Sequence, residues 1–516
     1  MGLATPTGIV TNSTPGFRLT EGDQPTAPPV IATQESLKMT DRYTMRACLG
    51  PRRESVPNHV DPGNRFQDHA EIYWPARKYM ASTNVNHSAG AAATTSSNKP
   101  AMAMVTALFF MWGFLTALND ILVPHLKSIF DLTYAEVMLI QFSFFSSYFV
   151  FAMPSGKLIR WIGFKTAIVI GLFTMGLGAL LFIPAASAPS FPLFLTALII
   201  LAAGITALQV AANPYVAVLG PPATASSRLN LTQAFNSLGT TIAPPLGSFL
   251  ILSSAPKTMG EIRKMSAPAL QLYRLQQASS VKLPYLGLAL ALIALGIAIA
   301  KFKLPVISAE HKEQSGNQKA SIWKQRHLVL GAIGIFAYVG AEVSIGSFLV
   351  NYMSQPNIGN LSEQVAARFV ALYWGGAMVG RFIGSGLLQK VRTGTLLGIA
   401  AIVACLLVSL SMISSGHLAM GSILAVGFFN SIMFPSIFTL GIDGLGPLTG
   451  EGSGLLVCAI VGGALIPELQ GVIADHVGIH HAFFIPAVCY LYIMYFAFWG
   501  SRRVGPAVGE LVASNA

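Results

Sequence analysis

Between residues 101 and 502 the sequence is a succession of about twelve apolar runs. Each is close to the roughly 20 residues that a helix needs to cross a bilayer. The composition agrees, with 53% hydrophobic and only 10% charged residues, a balance foreign to soluble domains. The pattern predicts an all-α integral membrane protein. The runs cover 103 to 126, 134 to 159, 164 to 184, 191 to 219, 228 to 253, 283 to 302, 326 to 354, 363 to 389, 393 to 413, 417 to 442, 449 to 475 and 480 to 501. Glycines and prolines inside them, such as Gly171, Pro214, Pro244, Pro435 and Pro467, would break soluble helices but are tolerated between packed membrane helices, where they mark possible hinges.

The net charge of +11 reads as a topology signal rather than as a nucleic-acid surface. Lys157, Arg160 and Lys165 follow the second run. Lys301, Lys303, Lys312, Lys319, Lys324 and Arg326 follow the sixth, and Lys390 and Arg392 the eighth. Arg502 and Arg503 follow the last. The positive-inside rule puts these loops, and both termini, in the cytoplasm. Residues 254 to 282, with Lys257, Arg263, Lys264, Arg274 and Lys282, dissent from that assignment. Residues 1 to 100 hold no apolar run of membrane length and no secretory signal, and their Pro, Thr, Ser and Asn content predicts disorder. They form either a genuine polar tail or a stretch upstream of a start at Met102 or Met104. The four cysteines show neither metal spacing nor a disulfide framework, and no cofactor is expected.

Asp120 is the one charged residue in the run from Ala101 to Leu126. A charge at membrane depth costs several kcal/mol, so such residues face a cavity, a partner or an ion path. Burial in an apolar bundle raises the pKa of a carboxylate in general, so an acid of this kind can take a proton at one surface and release it at the other. Asp120 is the candidate carrier; the same acid could hold Na⁺, and the sequence does not choose between the two ions. The bland reading is an acid capped by a neighbouring helix.

The layout repeats. Gly156, Lys157, Leu158, Arg160, Gly163 and Lys165 after the second run are echoed six helices later by Gly380, Arg381, Gly386, Lys390 and Arg392. Gln209 stands five residues before Pro214 and eleven before Gly220, as Asn430 stands before Pro435 and Gly441. Two pseudo-symmetric six-helix halves, 101–302 and 326–502, joined by a cytoplasmic linker 303–325 and followed by a tail 503–516, point to alternating access around a midplane site. This architecture is similar to that of the major facilitator superfamily, with twelve transmembrane helices. More specific stretches are Leu118–Pro124, Ala211–Val216, Val218–Pro221 and Arg228–Ser237. They resemble the fucose, galactose and glucose symporter family over about residues 103 to 500. Where the fucose branch of that family has an acid in the fourth helix, this chain has Gln209; where it has an amide in the seventh, this chain has Glu342. The swap resembles the glucose/galactose branch, whose carriers also take N-acetylglucosamine, fructose and sucrose. The resemblance implies cation-coupled import of a hexose or hexose derivative by a multi-pass protein of the bacterial inner membrane, functional as a monomer.

A sugar presents hydroxyls along its edges and apolar ring faces, so its site needs amides, carboxylates and aromatics. Gln209 and Asn213, four apart, share one face of the fourth helix, and Gln233 and Asn236 share one face of the fifth. Asn119, Asn430 and Glu342 add polar groups; Tyr338, Tyr373 and Trp374 offer rings with polar tips. Asp120 and Glu342 are the candidate coupling acids. Buried amides also simply join membrane helices by hydrogen bonds, and membrane aromatics also anchor at interfaces. Glu136 reads as a helix-start residue, Asp443 and Glu451 as loop residues, and Glu468 and Asp475 as intermediate cases. Three rivals remain: a drug-efflux antiporter of the same superfamily, suggested by Gly239, Pro244, Pro245 and Gly247; a non-transporting sugar sensor using the N-terminal tail; and a membrane enzyme, for which no metal cluster, nucleophile constellation or phosphate loop is present.

Overall fold

The computed structural model describes residues 99–130, 134–187, 190–251, 264–279, 282–305 and 321–503, without side chains for 118–130, 134–139, 141 and a few positions between 244 and 278. Residues 1 to 98 therefore lie outside the described residues, as do most of the 303–325 linker and nearly all of the 503–516 tail. The helices are α1 (Lys99–Phe130), α2 (Tyr134–Ser187), α3 (Phe191–Val218), α4 (Ala225–Ile251), α5 (Ala267–Ser279), α6 (Lys282–Lys301), α7 (Arg326–Met353) and α8 (Glu363–Leu387). Then follow α9 (Thr393–Ile413), α10 (Gly416–Asn430), α11 (Met433–Ile442), α12 (Thr449–Cys458), α13 (Gly462–Val477), α14 (Ile479–Ala482) and α15 (Phe484–Tyr495). There is no β-strand among the described residues.

Each of the twelve apolar runs is helical over most of its described residues. Among those residues, nine helical stretches are long and apolar enough to cross a membrane. One of the nine carries two runs: α2 reverses at Gly163, whose φ of 76° is a conformation that side chains with a Cβ resist. The other two runs are α4 and α8, the most polar of the long helices. Asn230, Thr232, Gln233, Asn236 and Ser237 on the first, and Arg368 and Arg381 on the second, lower their hydropathy. The helix α5 was not expected. It falls in the loop that dissented from the charge rule, and is anchored by the buried Tyr273.

The outside of the bundle is apolar: Leu290, Leu406, Ile413, Val472 and Val488 are all exposed. Asn213, Asn230, Asn430, Ser436, Ser453 and Gln470 are buried. A fold with this polarity is stable in lipid, where helices satisfy nearly all of their backbone groups internally and apolar side chains need no cover. With no hydrophobic force between helices, close packing must hold them together, and small residues permit it. A Cβ on Gly113 or Gly239 would fall on the backbone of the facing helix in the α1–α4 pair. The α7–α13 pair repeats the arrangement, with Gly462 against the Phe336 backbone and Gly340 against Ile466. The repeat seen in the spacing of residues is therefore present in packing as well.

Basic residues near the turns fasten helix ends. Arg228, from the motif that carried the family resemblance, donates to the carbonyls of Val216, Ala217 and Pro221 and closes the C-terminus of α3. Lys165 donates to the Ala300 carbonyl at the last turn of α6. A cation in each place meets unpaired carbonyls and the negative end of the helix dipole.

Candidate functional site

The echoed Gln209–Pro214 and Asn430–Pro435 spacings have one physical consequence. Proline has no N–H, so the carbonyl four residues earlier loses its helical partner. That carbonyl belongs to Val210 in α3 and to Ser431 beside α11, in each case the residue after the amide. Both are taken by donors from other helices: Ser453 Oγ of α12 donates to Val210 O at 2.7 Å, and Arg381 Nε of α8 donates to Ser431 O at 3.3 Å. The chain also breaks between α10 and α11, just after Asn430, whereas α3 runs unbroken through Pro214.

Arg381 is the centre of the site. It lies six residues inside the end of α8, with its side chain only 14% exposed. Its Nη2 stands 3.9 Å from Glu342 Oε1, an ion-pair distance longer than a hydrogen bond, and the Glu342 side chain is 12% exposed. A second guanidinium nitrogen donates to Ser237 Oγ on α4. The Arg381 carbonyl accepts from Asn230 Nδ2 of α4 at 2.7 Å. Around the acid, Tyr338 occupies the previous turn of α7, Tyr373 reaches the Glu342 backbone, and Tyr490 lies beside Asn430. Asn430 Nδ2 donates to the Tyr373 hydroxyl at 2.8 Å, and that hydroxyl donates to the Glu342 carbonyl at 3.4 Å. Glu342 faces the Tyr338 hydroxyl and Asn430 faces the Tyr490 hydroxyl, all of them buried, without Glu342 Oε1, Asn430 Oδ1 or either hydroxyl reaching full hydrogen-bond geometry. A concentration of such atoms in one place is unusual in a settled core and suits a polar ligand. Trp374 packs edge-on against Tyr373, ring centroids 5.2 Å apart, and lies over Gly346, one turn beyond Glu342 on the same face of α7.

The second group of predicted residues lies on α3 and α4. Gln209 Nε2 donates to the buried Tyr148 hydroxyl at 2.7 Å. Asn213 is fully buried, and both atoms of its amide lack partners. Gln233 is buried one turn before Ser237, whose hydroxyl bonds the Gln233 carbonyl at 3.1 Å. Asn236 instead donates to the Phe109 carbonyl of α1 at 2.9 Å, so one of its donors is spent joining two helices. Asn119 and Asp120 lie in α1 at positions whose side chains are outside the described residues, and Glu136 likewise in α2.

Arg381, Ser237, Tyr148 and Tyr490 complete the site, and none of them stands out in the sequence. Arg381 is, like Asp120, a charge deep in an apolar run, but it shares that run with Glu363 and Arg368. Its neighbour Gly380 and the nearby Lys390 and Arg392 make it read instead as part of a basic loop. Glu451, read as a loop residue, begins α12 and forms an ion pair with Arg160 of the Gly-basic turn. Asp443 pairs with Arg503, accepting from its Nε at 2.8 Å.

Comparison with known proteins gives this arrangement its context. The Major Facilitator Superfamily model matches residues 102–460. The chain belongs to the major facilitator superfamily. Among its relatives in that superfamily, a glucose/galactose transporter of Brucella abortus is 52% identical over 402 residues, spanning 78% of this chain and 94% of the relative. The L-fucose-proton symporter of Escherichia coli is 36% identical over 411 residues, spanning 78% and 93%. The crystal structure of FucP in the outward conformation superposes with a TM-score of 0.73 at 34% identity, covering 78% of this chain and 99% of that one. These relatives are transporters, not enzymes. As a major facilitator, the chain carries its buried charges and unpaired amides on helices that meet across the bundle, with α4 packed on α8 and α2 on α12.

Proposed function

We propose that the protein is a secondary active transporter that imports a hexose, in symport with a cation, by alternating access between its two groups of helices. The observation that carries this reading is the buried set around Glu342. A carboxylate, a guanidinium, three tyrosines and an amide lie together, with hydrogen-bonding capacity that their mutual contacts do not use up. Hydroxyl-rich ligands need donors and acceptors in that mixture, and aromatic faces such as Tyr338, Tyr373 and Trp374 suit the apolar face of a sugar ring. The relatives support the substrate class, since one is named for glucose and galactose and another for L-fucose with a proton.

In this reading Glu342 and Asp120 are the coupling acids. Gln209, Asn213, Gln233, Asn430 and Asn119 serve sugar hydroxyls, while Asn236 mainly positions α4 against α1. A cation that binds an acid shared with the sugar site changes the affinity for sugar, and sugar changes the affinity for the cation by the same factor. The fucose relative favours the proton over Na⁺ as the coupling ion. The named relatives favour glucose or galactose over N-acetylglucosamine, fructose or sucrose. The basic turns at Lys157, Lys301, Lys390 and Arg502 support a reading in which that end of the bundle, and both termini, face the cytoplasm of a bacterial cell and the protein works as a monomer in the inner membrane. Uptake of labelled glucose, galactose, N-acetylglucosamine, fructose and sucrose into proteoliposomes, under a proton gradient, a sodium gradient or neither, tests all of this. Accumulation of glucose or galactose under a proton gradient is expected. Absence of uptake for every sugar would reject the reading.

A further inference from the structure

We propose that Gly346 is a positioning residue that sets sugar specificity: its missing side chain seats the Trp374 indole beside the Glu342–Arg381 pair, where the apolar face of galactose, more than that of glucose, stacks on it. The choice of ligand rests on the symport reading above; the geometry of the seat does not. Trp374 and Arg381 are seven residues apart on α8, two turns, so both project from one face of that helix. The contact of this face with α4 is a polar zip. Ser227 Oγ donates to the Ser385 carbonyl at 2.6 Å, Asn230 Nδ2 to the Arg381 carbonyl at 2.7 Å, the Arg381 guanidinium to Ser237, and Thr241 Oγ1 to the Met378 sulfur at 3.6 Å. One turn past Met378, on the side away from the basic turns, Trp374 is 42% exposed. The indole stands uncovered where the zip ends, on the face that carries Arg381.

Gly346 explains how the indole is held. Elsewhere in the bundle glycines let two backbones meet, and a Cβ on Gly113, Gly239 or Gly462 would fall on the main chain of a facing helix. Gly346 differs. The three atoms nearest to a Cβ there all belong to the Trp374 ring: Cζ2 at 3.0 Å, Cε2 at 3.7 Å and Cη2 at 3.8 Å. A methyl group at 3.0 Å is too close, so alanine would push the ring off α7. The backbone does not ask for glycine, since Gly346 is not among the residues of positive φ. Glycine in the middle of a helix lowers its stability relative to alanine, and the indole is what this one accommodates. Gly346 lies one turn beyond Glu342 on the same face of α7, and Tyr373 packs edge-on against the indole with ring centroids 5.2 Å apart. Trp374 is thereby fixed by two neighbours and open on the rest of its surface, next to the acid and the guanidinium.

Such a ring suits a ligand that is polar at its rim and apolar on a face. Pyranoses have this form, with hydroxyls around the edge and C–H bonds on the faces. In galactose the axial 4-hydroxyl leaves the hydrogens of C3, C4 and C5 together on one face, a broader apolar patch than glucose offers. With that patch on the indole, the rim hydroxyls are left for Glu342, Arg381 and Asn430.

The test is Gly346→Ala, read by the half-saturating concentrations of galactose and glucose, both for binding to the purified protein by calorimetry and for uptake into proteoliposomes. A well-placed aromatic contact shifts affinity about fivefold, so a rise of that size for galactose and a smaller one for glucose are expected, in the half-saturating concentration rather than in the maximal rate. The melting temperature is expected to stay or rise, because alanine is the better helix former. Trp374→Ala is expected to cause a galactose loss of its own and to make Gly346→Ala silent when the two are combined. Trp374→Phe, whose smaller ring clears an alanine at 346, is expected to silence it as well, and keeps the test in force if Trp374→Ala fails to assemble. Galactose affinity unchanged by Gly346→Ala, an equal loss for both sugars, or a loss that persists beside either Trp374 variant would each overturn the proposal. Galactose binding with the expected pattern but no uptake would reject symport alone, and uptake indifferent to Gly346→Ala would reject the role of Gly346 alone.

Discussion

A single buried acid does not make a carrier; its partners decide what its charge can do. Glu342 has a guanidinium on one side and tyrosines on the other, so neutralising it permanently leaves binding groups in place but removes the charge change. Glu342→Gln is therefore expected to abolish gradient-driven accumulation of sugar while retaining sugar-for-sugar exchange across the vesicle membrane; accumulation equal to that of the parent protein would show that another group carries the cation. Gln209, held at 2.7 Å from the Tyr148 hydroxyl, is placed to bond sugar as well. A neutral hydrogen bond is worth about 1 kcal/mol, several-fold in affinity. Gln209→Ala should raise the sugar concentration for half-maximal uptake by about that factor with little change in maximal rate, whereas unchanged kinetics would reduce Gln209 to a strut between α2 and α3. Residue type was legible in the sequence and direction was not. Glu342, Tyr338, Tyr373 and Asn430 were named from their chemistry and lie together. Asn236, equally eligible, spends a donor on the Phe109 carbonyl. Arg381 was hidden because a basic residue near a helix end resembles a loop residue, and only the packing of α4 on α8 shows that it is inside.

At the scale of the helix, the two prolines do more than permit a bend. Each frees a carbonyl at one step past an amide, and each carbonyl is captured by a donor from a different helix. Ser453→Ala would leave the Val210 carbonyl buried and unbonded. Such a loss costs about 1–3 kcal/mol, so a lower melting temperature of the purified protein is expected with its fold unchanged; an unaltered melting temperature would mean that the bond from α12 to α3 is dispensable. The positions of the helices were readable because apolar length fixes a bilayer span. Their interruptions were not. The break after Asn430 and the short helix Ala267–Ser279 depend on local backbone geometry and on neighbours distant in sequence, whereas the reversal at Gly163 falls in the turn expected between the second and third runs. The polar character of α4 and α8, which keeps them below the hydropathy of a typical span, is itself a trace of the site they carry.

For the whole molecule, repeated Gly-seamed pairs, α1 on α4 and α7 on α13, build two similar groups of helices that meet along α4–α8 and α2–α12. The spacing echoes made that symmetry legible before the fold was seen; the polar zip between the groups could not be read, because its partners are more than 150 residues apart in sequence. In a carrier of this design the sugar and the cation share one set of buried groups, so neither should cross freely alone. The decisive measurement is sugar-driven proton movement: glucose or galactose is added to proteoliposomes that contain a pH-sensitive dye, with no gradient imposed. The account predicts acidification of the interior on adding sugar, absent in Glu342→Gln. Sugar entering with no change of internal pH would contradict it.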